Sequence, residues 1–151
     1  MSLRFPYLQV ARGGPIVSLG GKVHRPRPVI GVTILGPAGA VPYDGLLDTG
    51  SDDVLFPEAV AAFIGIDLTN APQGTMSAFG HRSIPVRYAE ATLRIADNQE
   101  RREWRAWVGF APVVRRYALL GFAGFLQYFT ATFHGDREEV ELTVNGQYPG
   151  T

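Results

Sequence analysis

Gly45-Leu46-Leu47-Asp48-Thr49-Gly50-Ser51-Asp52-Asp53-Val54-Leu55-Phe56 is the stretch whose reading decides the fold. Leu46 and Leu47 read as the end of a buried strand. Asp48 follows where the apolar run stops, so its carboxylate sits at the mouth of a core and not out in solvent. Gly50 lets backbone or a ligand come close. Thr49 and Ser51 offer hydroxyls for local hydrogen bonds. Val54 then restarts an apolar run.

Working outward, residues 41–47 read as the return arm of a hairpin. Its first arm is the β-branched run 27–35, and Gly36-Pro37-Ala38-Gly39 is the turn. Downstream, residues 57–65 carry short-helix punctuation, with Pro57 at the first helical position and Gly65 at the end. Val60, Phe63 and Ile64 fall on one face at helical spacing. Residues 72–79 and 84–95, joined through Gly80-His81-Arg82-Ser83, read as a long hairpin. Part of a period-two pattern runs through Tyr88, Ala89, Ala91, Leu93 and Ile95. Residues 103–110 form another strand, with Trp104 and Arg105 facing opposite ways. Residues 117–121 are a short buried strand, and 122–129 one or two turns of helix. Residues 129–134 and 139–144 make a closing hairpin. Near the start, 5–10 and 15–19 read as edge strands because each contains a proline. The Gly- and Pro-containing tail, 146–151, reads as loose.

Composition bounds the class. At 151 residues, 46% hydrophobic and 19% charged, the chain is a single globular domain. Its 18 glycines and 11 prolines, with frequent β-branched and aromatic residues, favour short strands and tight turns. A formal net charge of zero argues against a nucleic-acid partner. Without cysteine there is no disulfide framework and no thiolate metal site, which is compatible with the cytoplasm. No signal peptide is read at the start, and no stretch approaches the ~18 apolar residues of a membrane span. His24, His81 and His134 are scattered and read as structural or surface residues. Trp104 and Trp107 read as packing residues.

Leu47-Asp48-Thr49-Gly50-Ser51 resembles the active-site loop of aspartic proteases. The longer run through Asp52-Asp53-Val54-Leu55 resembles the retroviral-type, or retropepsin, branch. The resemblance covers roughly residues 27–133. The hairpin 72–95 lies where that family has its flap, with the tip near Ser77-Ala78-Phe79-Gly80. Ala118-Leu119-Leu120-Gly121 resembles the apolar-apolar-Gly element that supports the catalytic loop. The resemblance implies an all-β fold, a small closed or partly open β-barrel with one or two short helices. It divides the chain into an N-terminal extension of edge strands (1–26), the retropepsin-like domain (27–134), and a C-terminal strand with its tail (135–151).

The same resemblance implies an aspartic endopeptidase that cuts extended polypeptide, without cofactor or metal. Asp48, Thr49 and Gly50 would be the catalytic residues. Ser51, Asp52, Asp53, Ala78, Phe79 and Gly80 would meet substrate. Only one Asp-Thr-Gly occurs, so a homodimer would pair Asp48 with its symmetry mate. Thr49 would link the two loops through its hydroxyl, and Ser51 would hydrogen-bond the outer carboxylate oxygen. Three features depart from viral members. Phe122 stands where they carry a base that pairs with the Asp at the position of Asp52. The tip has Ser77, Ala78 and Phe79 in place of several glycines. Both ends of the chain are extended.

Other readings remain open at the level of sequence. The same fold can serve as a catalytically inactive peptide-binding or dimerisation module. An unrelated small barrel can hold a fortuitous Asp-Thr-Gly. Asp52-Asp53 can be an N-cap for the helix after Pro57, or a solvated face. Phe79 can touch substrate or cover the core. The spacing of Asp48, Asp52 and Asp53 does not fit a calcium loop.

Overall fold

Alternating apolar side chains along 89–95 and 104–110 mark two long strands, and the rest of the sheet is built on them. The computed structural model describes residues 1–78, 82–112 and 116–151. In chain order the strands are β1 (Leu3–Pro6), β2 (Leu8–Ile16), β3 (Lys22–Arg27), β4 (Val29–Gly36), β5 (Gly39–Leu47) and β6 (Val54–Pro57). A short helix α1 (Glu58–Phe63) follows. Then come β7 (Gln73–Ala78), β8 (Arg82–Ala96), β9 (Arg101–Ala111), β10 (Ala118–Leu120), β11 (Phe129–His134) and β12 (Glu139–Val144).

The principal sheet has the order β4-β5-β10-β6-β9-β8-β7. A further pairing of β4 with β8, through Thr33 with Arg94, Ile34 with Leu93 and Leu35 with Thr92, closes six of these strands into a barrel. β7 is left hanging on β8. The chain is therefore all-β, with one short helix and two single 3-10 turns at Val17–Leu19 and Leu126–Tyr128 among the described residues. A separate three-stranded sheet, β1-β12-β11, joins the two ends of the chain, and β2 and β3 form their own hairpin.

The barrel interior is filled by residues such as Val32, Ile34, Leu93, Val108, Phe110 and Leu120, all essentially inaccessible to solvent. At one end Trp104 anchors an aromatic group. Its ring lies 5.4 Å from Phe125 and from Phe129 and 5.8 Å from Tyr148, all edge-on. Its indole N–H donates to the Gly124 carbonyl at 2.9 Å, so the polar tip is satisfied inside the core.

Four local expectations are corrected. Phe63 is 72% exposed, and Val60, Ala61 and Ile64 are the buried residues. That stripe is centred about 100° from Phe63 at the helical 100° per residue, so Phe63 points sideways. Residues 15–19 do not form a second strand; they finish β2 and turn through Val17–Leu19. Trp107 is 54% exposed, because an odd separation from Trp104 along β9 puts it on the opposite face. The tail is not loose. Glu103 and Thr151 exchange both backbone hydrogen bonds at 3.0 Å, and the Tyr148 hydroxyl donates to the Glu103 carbonyl at 3.1 Å.

Removing residues 146–151 should therefore lower the unfolding free energy by about 2 kcal/mol. That is less than the ~3–5 kcal/mol for losing a fully buried aromatic, since Tyr148 is only partly buried. Urea denaturation followed by Trp104 fluorescence measures it, and an unchanged midpoint would show that the tail carries no stability.

Candidate active site

Asp48 is the first residue after β5, and its position is set from both sides. Its N–H donates to the Leu120 carbonyl at 3.2 Å, at the end of the parallel pairing of β5 with β10. Its own carbonyl accepts the Ser51 N–H at 3.1 Å, closing a tight turn. The Gly50 N–H donates to Asp48 Oδ1 at 2.8 Å, which fixes the carboxylate in plane over the turn. Thr49 and Gly50 at the apex are exposed.

The loop is stapled to the segment that follows β10. Phe122 N–H donates to the Ser51 carbonyl at 3.0 Å, and Ala123 N–H to the Asp52 carbonyl at 2.8 Å. A side chain at position 121 would overlap the Ser51 and Asp53 carbonyl oxygens, so only glycine fits there. The Ala118-Leu119-Leu120-Gly121 element thus supports the loop through a close backbone approach.

The Ser51 hydroxyl donates to the Asp53 carbonyl at 2.9 Å. The expected bond from Ser51 to the Asp48 carboxylate is replaced by this one, since the hydroxyl has a single proton and gives it to the Asp53 carbonyl. Nor do Asp52 and Asp53 cap the helix. β6 intervenes, and α1 begins at Glu58 after Pro57, which sits at the N-cap in extended conformation and not at the first helical position, with no side-chain cap.

The second wall is the hairpin of β7 and β8. β7 pairs with Arg82–Arg87 only, whereas β9 takes β8 from Arg87 to Ala96. The outer half of the hairpin therefore has no partner on its far side in the barrel and extends past it. Asp48, Asp52 and Asp53 line one side of a cleft of about 1090 Å³, and Thr75, Met76 and Arg82 of the hairpin line the other. Beneath it lies a small apolar cluster of Leu55, Val86 and Ala111, with Met76 and Ile84 packed against it. Of the expected hairpin contacts, Ala78 ends β7; Phe79 and Gly80 lie outside the described residues, as does His81.

Sequence reasoning missed Tyr88. It sits on β8 where the strand passes from barrel to hairpin, and its hydroxyl donates to Asp53 Oδ2 at 2.8 Å. The available signal was a polar tip inside the period-two run of β8, where such a tip needs a buried or half-buried partner. Phe122 follows Gly121 and is 61% exposed, so the position that is basic in viral members is an outward apolar side chain here. Among the described residues no group of three or more His, Asp or Glu side chains is arranged to hold a metal. No helix among them is long and apolar enough to cross a membrane.

Burial pushes the Tyr88 hydroxyl up, helped by its hydrogen bond to Asp53 and by the negative charges of Asp53 and Asp52, from 10.0 to about 12. The folded protein holds this proton more tightly than the unfolded chain. The associated stability is complete below pH 10 and is lost as pH rises from there through about 12. In an alkaline titration of tyrosinate absorbance, the difference between wild type and Tyr88→Phe should titrate near 12, and Asp53→Asn should move it back toward 10. A difference curve already centred at 10 in wild type would contradict the contact.

No family model matches the chain, and no curated protein matches it. Solved structures do. A retropepsin-like aspartic protease from Rickettsia conorii superposes with a TM-score of 0.52 at 19% identity, over 94% of this chain and 98% of that one. An EIAV protease in complex with an inhibitor matches at a TM-score of 0.38 and 23% identity, over 63% of this chain and 81% of that one. The Rickettsia match spans nearly the whole length of both chains, so it takes in the extended ends as well as the barrel. With the single Asp-Thr-Gly turn, the supporting Leu-Leu-Gly strand and the overhanging hairpin in their places, this chain has the fold of the retropepsin-like aspartic proteases.

Proposed function

We propose that this protein is an aspartic endopeptidase that hydrolyses peptide bonds in extended polypeptide, using an Asp48 pair formed across a homodimer. The observation that carries the reading is the placement of Asp48. Its carboxylate is held in a backbone turn, on the side of a cleft that faces the overhanging β7–β8 hairpin. A cleft between a loop rich in polar backbone and an unpaired hairpin suits a substrate bound as an extra strand. Main-chain hydrogen bonds would supply affinity there, and alternate side chains would enter pockets.

Hydrolysis needs two carboxylates astride one water. Two such groups a few ångström apart cannot both be ionised, so the pair holds one proton; aspartic proteases are the standard illustration of this. The ionised carboxylate takes the water's proton as oxygen attacks the carbonyl carbon. The protonated one gives its proton to the carbonyl oxygen. Collapse of the resulting diol sends a proton to the departing amine and restores the shared proton. In this reading Thr49 and Gly50 at the exposed apex meet the partner's loop. Asp52 and Asp53, with Gly50, accept or offer hydrogen bonds along the substrate backbone. Ala78, Phe79 and Gly80 approach substrate from the opposite side. The absence of cysteine suits work in the reducing cytoplasm.

A peptide-library digest across acid to neutral pH tests the assignment. Cleavage should peak in acid to mildly acid solution and fall as the second carboxylate of the pair ionises. Asp48→Asn should cut turnover by about 10³-fold or more, within the range a positioned acid–base pair supplies. Specific activity should also fall on dilution below the dimer dissociation constant, since each site takes half its chemistry from the partner. Full activity in Asp48→Asn, or dilution-independent activity in a proven monomer, would end the proposal.

A further inference from the structure

Tyr88 makes four contacts that converge on one point of the fold. Its backbone N–H donates to the Pro72 carbonyl at 2.9 Å, where the hairpin begins. It pairs with Gly109 of β9 across the sheet, while Gly74 of β7 lies two residues along the register, opposite Val86. Its ring covers both glycines. A Cβ built on Gly74 would sit 3.0 Å from Tyr88 Cε2, and one on Gly109 would sit 3.3 Å from Cε1. The ring lies tight against Gly74, whereas at Gly109 Leu55 Cδ2 at 2.6 Å and Val86 Cγ1 at 2.8 Å crowd a Cβ more closely than the ring does. Its hydroxyl, finally, reaches out of the hairpin to Asp53 Oδ2 on the catalytic-loop side of the cleft.

The position in the register gives these contacts their meaning. β8 belongs to the barrel from Arg87 onward and to the hairpin up to Arg87. Tyr88 therefore stands at the root, where a small rotation of the strand is amplified toward the tip. A charge-assisted hydrogen bond from this root to Asp53 holds the hairpin at one angle to the Asp48 loop. It also occupies one oxygen of Asp53 and so orients the other.

We propose that Tyr88 is a positioning residue, which locks the root of the hairpin to the Asp53 carboxylate and so governs how tightly an extended peptide is held, without taking part in the proton transfers. The inference rests on the endopeptidase reading for its kinetic consequence. Its structural consequence, the coupling of hairpin and loop, stands apart from that reading.

Tyr88→Phe is the informative variant, since it keeps the ring between Gly74 and Gly109 and removes only the hydroxyl. With the best-cleaved peptide from a library as probe, KM should rise about tenfold, the scale for losing a hydrogen bond to a charged group, while kcat stays within about twofold. Asp53→Ala should raise KM as well. The Tyr88→Phe/Asp53→Ala double variant should rise no further than the larger single effect, because both remove one contact. Tyr148→Phe, which loses a hydroxyl bond remote from the cleft, serves as the control and should leave KM unchanged. Hydrogen exchange supplies a readout free of catalysis. Backbone amides of Gln73–Ala78 should exchange faster in Tyr88→Phe than in wild type, with β9 amides unaffected. An unchanged KM in a catalytically active Tyr88→Phe overturns the inference. So does a parallel loss of kcat, or multiplicative effects in the double variant. If wild type cleaves no peptide, the endopeptidase reading fails by itself, and the exchange comparison decides the coupling: unchanged hairpin exchange overturns it.

Discussion

The close backbone contact between Gly121 and the carbonyls of Ser51 and Asp53 is the constraint on which the site depends. It lets β10 run between β5 and β6, parallel to one and antiparallel to the other, so that a strand of three residues more than sixty positions further along the chain pairs with both. Phe122 and Ala123 can then give their N–H groups to Ser51 and Asp52. These bonds occupy the Ser51 and Asp52 carbonyls. Asp48 is left as the charged group at the top of a rigid turn, and a carboxylate held this way loses little further freedom when it meets a ligand.

A second consequence follows from barrel closure. Because β4 pairs with β8 as well as β5, the β8 strand is held on both edges at Thr92, Leu93 and Arg94. The hairpin half is fixed on one edge alone. The same strand is thus rigid scaffold at Leu93 and cleft wall at Ile84. Tyr88 lies at the change from one to the other. The acidic side of the cleft and the hairpin side are linked there by a side chain as well as through the sheet.

Much of the architecture was legible in the sequence, for identifiable reasons. The hairpin of β4 and β5 was marked by a β-branched run and a Gly-Pro turn. The β7–β8 hairpin was marked by length and alternation. The Leu119-Leu120-Gly121 strand was marked by apolar character ending in glycine. Phe63 was misplaced because a six-residue helix has too few turns to define a stripe, and Val60 and Ile64 fit more than one. Trp107 was misplaced because β9 has a large aromatic on both faces, and period two alone does not say which is inside. The tail was misjudged since Gly150 and Pro149 read as disorder, whereas the glycine is what lets the chain lie against Glu103 and Trp104. In the site, Asp48 was evident from its motif. The Ser51 bond was wrong in partner, and Tyr88 was invisible, because both depend on which long-range neighbour a hydroxyl meets. Local sequence does not encode that choice.

The exposed residues of the loop bear on how the proposed dimer would complete the site. Ser51 and Asp53 are partly covered and engaged by their neighbours, whereas Thr49 and Gly50 at the apex are open to solvent. An acid–base pair built from one Asp per chain requires contact at this apex, because Asp48 is one residue away from it. Phe122, hydrogen-bonded through its backbone to Ser51, is an outward apolar side chain in the same neighbourhood. Covering an apolar ring costs no charge desolvation and releases ordered water instead. With Phe122 in that position, the exposed Asp52 carboxylate has no base from this residue to pair with. The terminal strands, by contrast, are engaged with each other, since β1 and β12 pair along four residues within one chain. In the homodimer proposed above, these four pairs would have to open before the ends could be exchanged between chains.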